Sequence, residues 1–211
     1  AGLAGAKPYP SPSFENWKAG IATYIKTKKI EKPIVIGHSM GGGLALALAA
    51  DYPDLIGKIV VVDALPCLAA LSNVSFISKE NNDCSPMVAQ MTAMNETQFY
   101  EMQKQAMPRL LQDASKLEMV VDWSVKSDRK TFAQMYCDFF NTDLRERIST
   151  VKCPSLILLE SNFITLKPAI EEQYKNLKTA NFQYANKGMH IIMYDDKDWY
   201  LVQLNNFIKS S

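Results

Sequence analysis

Two uninterrupted apolar runs, Ile34-Val35-Ile36 and Ile59-Val60-Val61-Val62, stand out in a chain whose other apolar positions mostly recur at helical spacing. Continuous β-branched runs of this length suit strands covered on both faces, and they predict a parallel sheet with crossover helices. Ahead of them, Pro8, Pro10 and Pro12 give an extended entry. Ser13 then caps a helix whose inner stripe reads Phe14, Trp17, Ile21, Tyr24 and Ile25. Between the two runs, the Gly/Ala/Leu stretch from Gly42 to Ala50 predicts a helix that stops at Asp51-Tyr52-Pro53, where proline cannot continue it. From Ala64 to about Asn141 the pattern turns polar, Met-rich and helical, with no clear strand. Beyond it, Asp143 caps a short helix to Ile148, Ser155 to Leu159 reads as a strand and Pro168 to Lys178 as a helix. Phe182 to Ala185 then reads as a strand and Asp196 to Ile208 as the last helix. The alternation predicts an α/β fold, a doubly wound and mostly parallel sheet with an inserted helical cap. The expected divisions are residues 1–63 and 142–211 for the core and 64–141 for the cap.

Composition narrows the function classes. The 211 residues are 47% hydrophobic and 21% charged, enough for one substantial core. A net charge of +1 supplies no basic field for nucleic acid, and the three Trp and nine Tyr do not alternate with basic residues in a stripe. No run of about eighteen apolar residues offers a membrane span. A small molecule is therefore the expected partner, and a soluble protein, cytoplasmic or exported, the expected setting.

The junction of the first strand and its helix carries the chemistry. Gly37-His38-Ser39-Met40-Gly41 reads as a nucleophile elbow, in which a buried strand turns sharply into a helix and lifts one side chain above the sheet. Gly37 and Gly41 are expected where a Cβ would strike the strand and helix backbones. The following helix aims free N–H groups at Ser39, so the Met40 N–H is the expected donor to a developing oxyanion. Of the two histidines, His38 is held beside the nucleophile within the elbow. That leaves His190, after Gly188 in a loop beyond the last strand, as the expected general base.

Pro33-Ile-Val-Ile-Gly-His-Ser-Met-Gly-Gly, the helix to Tyr52-Pro53, and Lys58-Ile-Val-Val-Val-Asp63-Ala-Leu-Pro66 together resemble the middle of the α/β-hydrolase fold. Cys153-Pro154-Ser-Leu-Ile-Leu-Leu-Glu160 resembles the strand after the cap, and Gly188-Met189-His190 the histidine segment, so the likeness spans nearly the whole chain outside the cap. The resemblance implies a serine nucleophile, a histidine base and a carboxylate, in that family's order of nucleophile, acid, histidine. Most members place the acid just after the strand matching Ser155 to Leu159, but this chain reads Glu160-Ser161-Asn162-Phe163 there. Other members carry it at the end of the strand that follows the nucleophile helix, which is Asp63. Asp63 is thus the preferred orienter of His190, with Glu160 the alternative and Asp138 and Asp143 further candidates.

The inserted region suggests the substrate. Met87, Met91, Met94, Met102, Met107, Met119 and Met135, with Phe99, Trp123, Phe132 and Phe139, offer soft apolar surface that suits uncharged esters of short or medium acyl chain. No charged pocket for a phosphate or sugar acid can be read. Cys67, Cys84, Cys137 and Cys153 have no metal-ligand spacing, so no metal or cofactor is expected. All four suit buried thiols, and Cys67 and Cys84 lie close enough to pair if the protein is exported.

The expected activity is a carboxylesterase reaction through an acyl-enzyme on Ser39. C–C bond hydrolysis or perhydrolysis by the same groups, and a non-catalytic ligand-binding module, remain the alternatives. Ala1-Gly2-Leu3-Ala4-Gly5-Ala6 lacks the basic and apolar regions of a signal peptide. In the resembling family the early strands, and the loop that supplies a second oxyanion donor, precede this point. The expectation is a further piece upstream, cleaved yet bound, or another chain that completes the sheet.

Overall fold

The computed structural model of the chain describes residues 2–210. Four strands, β1 (Ile34–His38), β2 (Lys58–Val62), β3 (Ser155–Leu159) and β4 (Ala180–Tyr184), pair in parallel in the order β1-β2-β3-β4. Helix α1 (Phe14–Thr27) precedes β1, and α2 (Met40–Asp51) follows it. The segment between β2 and β3 holds α3 (Ser85–Ala93), α4 (Glu96–Ala106), α5 (Leu117–Val125) and α6 (Arg129–Phe140), and no strand among the described residues. Helix α7 (Lys167–Gln173) joins β3 to β4, and the chain closes with α8 (Ile192–Asp195) and α9 (Lys197–Lys209). Among the described residues, no helix is long and apolar enough to cross a membrane.

Strand alternation sorts the sheet's side chains into two cores. Ile59, Val61, Ile157 and Leu159 face α1, α2, α6 and α7, while Val60, Val62, Leu156 and Leu158 face α9 through Phe207 and Leu204. Helices on both faces make the sheet doubly wound. Helix α2 is buried from Gly42 to Ala50 and apolar all round, as a helix enclosed on every side must be. Met135 and Phe139 of α6 belong to the same core as α2, so the inserted helices are anchored to the main body rather than set apart from it.

Several expectations shift in the structure. Tyr24 points to solvent while Lys18 is buried, because the Lys18 ammonium pairs with Asp51 at the end of α2 and with Glu15. The stretch Asp143–Ile148 forms no α-helix. The Asp143 carboxylate instead accepts from the Arg145 backbone N–H and guanidinium, a local turn that competes with helix, and a short 3₁₀ turn follows over Arg147–Thr150. Ile34 and Ile36 remain 37% and 46% exposed, against the expectation for a fully covered strand. They share a face with Val60 and Val62, but α9 covers only the strands beyond, and β1 is the edge of the four-stranded sheet.

The cysteine pairing also differs. Cys84 bonds Cys137, joining the start of α3 to α6, while Cys67 and Cys153 are buried thiols. Cys67 instead packs with Ala69, Ala70 and Phe76, and burial raises its thiol pKa. Helix α3 packs along α6 with no fully buried side chain of its own, and this bond fixes its start there. Closing a loop with a sequence separation of 53 removes denatured-state entropy worth about 4 kcal/mol in the chain-entropy picture. Reduction, or Cys84→Ser, is expected to lower the thermal midpoint by several degrees in a melt followed by circular dichroism. An unchanged midpoint would show that the bond does not hold α3 in place.

Candidate active site

All the candidate groups stand at the C-terminal edge of the parallel strands, where open α/β sheets gather their functional side chains. Ser39 follows β1, Asp63 follows β2, Glu160 follows β3, and His190 lies in the loop after β4. Ser39 has φ 54° and ψ −124°, a conformation that an L-residue adopts only when its surroundings enforce it. Here the Ser39 N–H donates to the Val62 carbonyl at 2.8 Å, and its carbonyl accepts from the N–H groups of Gly42 and Gly43. A Cβ on Gly37 would lie 2.0 Å from the Gly41 carbonyl oxygen, so the turn admits only glycine at Gly37. Gly41 is different from expectation: a Cβ there would meet nothing, since this residue borders a cavity. The close approaches on that side fall to Gly42, against Ala64, and Gly43, against Phe139. Met40 occupies the first position of α2, where a backbone N–H has no partner within the helix.

Asp63 also sits at positive φ, 47°, with its N–H bonded to the Leu158 carbonyl at 2.7 Å. Its side chain is 2% exposed and fully engaged. One oxygen accepts from the Glu160 N–H at 2.7 Å, and the other lies 2.6 Å from Nδ1 of His190, whose side chain keeps 23% exposure. The turn after Asp63 is braced by the buried Tyr174 hydroxyl, which donates to the Ala64 carbonyl at 2.6 Å. Glu160 lines the same cavity, but its carboxyl makes no bond to His190. Burial, then the nearby Asp63 charge, pushes its pKa up to about 7. Neither Asp138 nor Asp143 comes near: Asp138 serves the Phe14 N–H and Gln134, and Asp143 serves Arg145.

The sequence did not mark two supports of His190. His38 does more than fill the elbow. Its Nε2 lies 2.9 Å from the His190 carbonyl, so as the Nε2–H tautomer it donates there, with the two rings 4.6 Å apart. Burial, then the neighbouring His190, lowers its pKa to about 4, which keeps the ring neutral. Asp195 accepts from the N–H groups of Met189, Gln112 and Asp113, tying the histidine loop to the segment before α5. The Ile191 N–H donates to the Leu110 carbonyl in the same seam. Only a three-dimensional contact reveals either role: in sequence His38 is part of the elbow without a partner, and Asp195 belongs to no motif.

A cavity of about 670 Å³ joins these groups. Ser39, Met40, Asp63, Glu160 and His190 border it, under walls from α5 and α6 that include Val120, Phe132 and Phe139. Of the seven methionines in the inserted region only Met107 reaches it. Met135 is enclosed in the main core, and Phe99 is buried against α6 through Phe132, so the walls are mostly aliphatic and aromatic rather than thioether. Leu3 reaches the cavity as well, held by Ala4 N–H to Ser127 Oγ and Gly5 N–H to the Lys126 carbonyl.

A family profile described as "alpha/beta hydrolase fold" matches residues 6–196, most of the chain. The chain belongs to the α/β-hydrolase family. The mouse sn-1-specific diacylglycerol lipase ABHD11 is 23% identical over 217 residues, covering 97% of this chain and 68% of its own. Other curated relatives align over less: an abhydrolase domain-containing protein of Schizosaccharomyces pombe is 44% identical over 63 residues, 29% of this chain and 23% of its own. The chain thus matches about a quarter of that relative's length. Among solved α/β hydrolases, the enol-lactonase of Burkholderia xenovorans LB400 superposes with a TM-score of 0.77 at 18% identity, covering 99% of this chain and 78% of that one. A thermophilic esterase of Thermogutta terrifontis gives 0.79 at 14% identity, covering 99% and 76%. At those identities the likeness carries the fold alone.

Two perturbed groups of the site make the protein's stability depend on pH in opposite senses. Unfolded His38 takes a proton near pH 6.5, whereas the folded ring resists until about pH 4, so its contribution is complete above 6.5 and is lost as pH falls. Glu160 acts the other way. The folded carboxyl keeps a proton that the unfolded one releases near pH 4.5, and its contribution is lost as pH rises towards 7. Urea unfolding at several pH values between 4 and 7 should therefore show a smaller acid-side loss for His38→Gln than for the wild type, and a larger one for Glu160→Gln. Parallel profiles for all three proteins would contradict these assignments.

Proposed function

We propose that this α/β hydrolase cleaves carboxylic esters of short to medium acyl chain through an acyl-enzyme on Ser39. The observation that carries this reading is the 2.6 Å contact between the buried Asp63 carboxylate and Nδ1 of His190, beside a cavity that Ser39 also borders. In the proposed reaction Asp63 accepts from Nδ1–H. That leaves Nε2 as the base, which takes the Ser39 proton on attack and returns it to the leaving alcohol. The Met40 N–H donates to the developing oxyanion from the start of α2. The diacylglycerol lipase relative supports ester chemistry, and the mostly apolar walls support acyl groups of modest size.

The partner reading is also a proposal. The free edge of β1 and its exposed Ile34 and Ile36 suit a further strand, supplied by an upstream piece of the same polypeptide or by another chain. The same segment would bring the second oxyanion donor, a group worth about 3 kcal/mol of transition-state stabilisation. The Cys84–Cys137 bond supports an oxidising compartment for the protein.

A fluorophosphonate probe is expected to label the wild type at Ser39 and to leave Ser39→Ala unlabelled. Ser39→Ala and His190→Ala should each lower turnover of a p-nitrophenyl ester by about three orders of magnitude, with little further loss in the double variant. Across acetyl to palmitoyl esters, activity should peak among short or medium chains. Near-full activity in either single variant would refute the mechanism, and a maximum on long-chain emulsions would refute the substrate class. Denaturing mass spectrometry of an active sample should show a second polypeptide. A fully active lone 23.7 kDa species would instead assign completion of the oxyanion hole to residues 2–6, of which Leu3 already borders the cavity.

A further inference from the structure

Arg109, an exposed residue, is the one lysine or arginine among the described residues that line the cavity. It follows Pro108 in a short 3₁₀ turn, Met107–Arg109, between α4 and α5. No carboxylate among the described residues pairs with it; the acidic groups on the cavity wall are Asp63, bound to His190, and Glu160, whose carboxyl holds its proton up to about pH 7. The turn is also fixed relative to the reacting groups. Leu110, the next residue, accepts from the Ile191 N–H at 2.9 Å, and Gln112 and Asp113 donate to Asp195, which in turn accepts from Met189. The strap that carries the guanidinium is therefore bonded on both sides of His190. Ser124 and Tyr136 are the other polar residues that the inserted segment gives to the lining, whereas Leu68, Met107, Leu110, Val120, Phe132 and Phe139 make the rest of it apolar. A neutral ester would leave this cation to solvent. A substrate that carries an anion would pair with the planar fork of donors while its chain lies against the apolar lining.

We propose that Arg109 makes this cavity selective for esters whose end remote from the scissile bond carries an anion, a carboxylate or a phosphate. The inference rests on the esterase reading of Ser39 and His190 and narrows its substrate class: the uncharged esters expected from sequence become the poorer substrates. The sequence did not mark Arg109, because an isolated arginine in a polar helical stretch resembles any solvated charge.

The test compares monomethyl esters of dicarboxylic acids, from succinate to suberate, with methyl esters of the matching uncharged acids and of matching ω-phosphorylated acids. At the best chain length the wild type should favour an anionic ester over its neutral counterpart by at least tenfold in kcat/KM, mainly through KM. Whichever anionic series leads identifies the group. Arg109→Gln should lower that preference by tenfold or more, Arg109→Lys should restore part of it, and Lys104→Gln, a cation on the same segment outside the cavity, should leave the ratio as it was. A wild-type ratio near one, or a ratio unchanged in Arg109→Gln, would overturn the proposal while the esterase reading stands. If no methyl ester is cleaved, the esterase reading is what fails, and calorimetric binding of adipate and of hexyl phosphate decides for Arg109. Binding at least tenfold weaker in Arg109→Gln supports the anion site, and equal binding overturns it.

Discussion

The Asp63 carboxylate is the interaction on which the site depends. It stands at the end of β2 in a left-handed conformation, bonded through its own N–H to β3, through one oxygen to the Glu160 N–H, and through the other to His190. Three segments that are distant in sequence thereby meet at one nearly solvent-free group. A carboxylate so placed is costly unless it is hydrogen-bonded, and here each oxygen has a partner, the Glu160 N–H on one and the imidazole on the other. The same burial that would penalise an isolated charge makes the hydrogen bond to His190 strong and sets the ring's tautomer.

The neighbouring groups are set mainly by burial. Glu160 occupies the place after β3, where burial and then the Asp63 charge disfavour ionisation and push its pKa up to about 7. His38 is held neutral by burial and uses its ring to grip the His190 backbone instead of competing for the serine. The backbone strain at Ser39 and Asp63 is maintained by the ladder of parallel strands below them, which links the rigidity of the sheet to the geometry above it.

Much of this was legible in the sequence, for physical reasons. Continuous β-branched runs favour strands, and Gly37 before Ser39 reports a turn with no room for a Cβ, so the strands and the elbow could be read directly, though not the exposure of Ile34 and Ile36. His190 as a candidate followed from His38 being held in the elbow, and Asp63 from the resemblance to α/β hydrolases that carry the acid at the end of this strand. What stayed hidden depended on distance in space. Cys84 meets Cys137 because α3 packs along α6, and no spacing rule encodes that. The methionines looked like a pocket lining, yet helical periodicity does not say which face meets the cavity and which meets the core, and Met135 fell to the core. The contacts of Asp195 and His38 with the histidine loop arise only in the fold.

The central claim is that Asp63, and not Glu160, holds the Nδ1 proton of His190. Proton NMR of the resting protein can observe that proton directly as a far-downfield exchangeable resonance, assigned by its absence in His190→Ala. The account predicts that the resonance is lost or moves strongly upfield in Asp63→Asn and persists in Glu160→Gln. Its survival in Asp63→Asn together with its loss in Glu160→Gln would contradict the account and place Glu160 at the centre of the site.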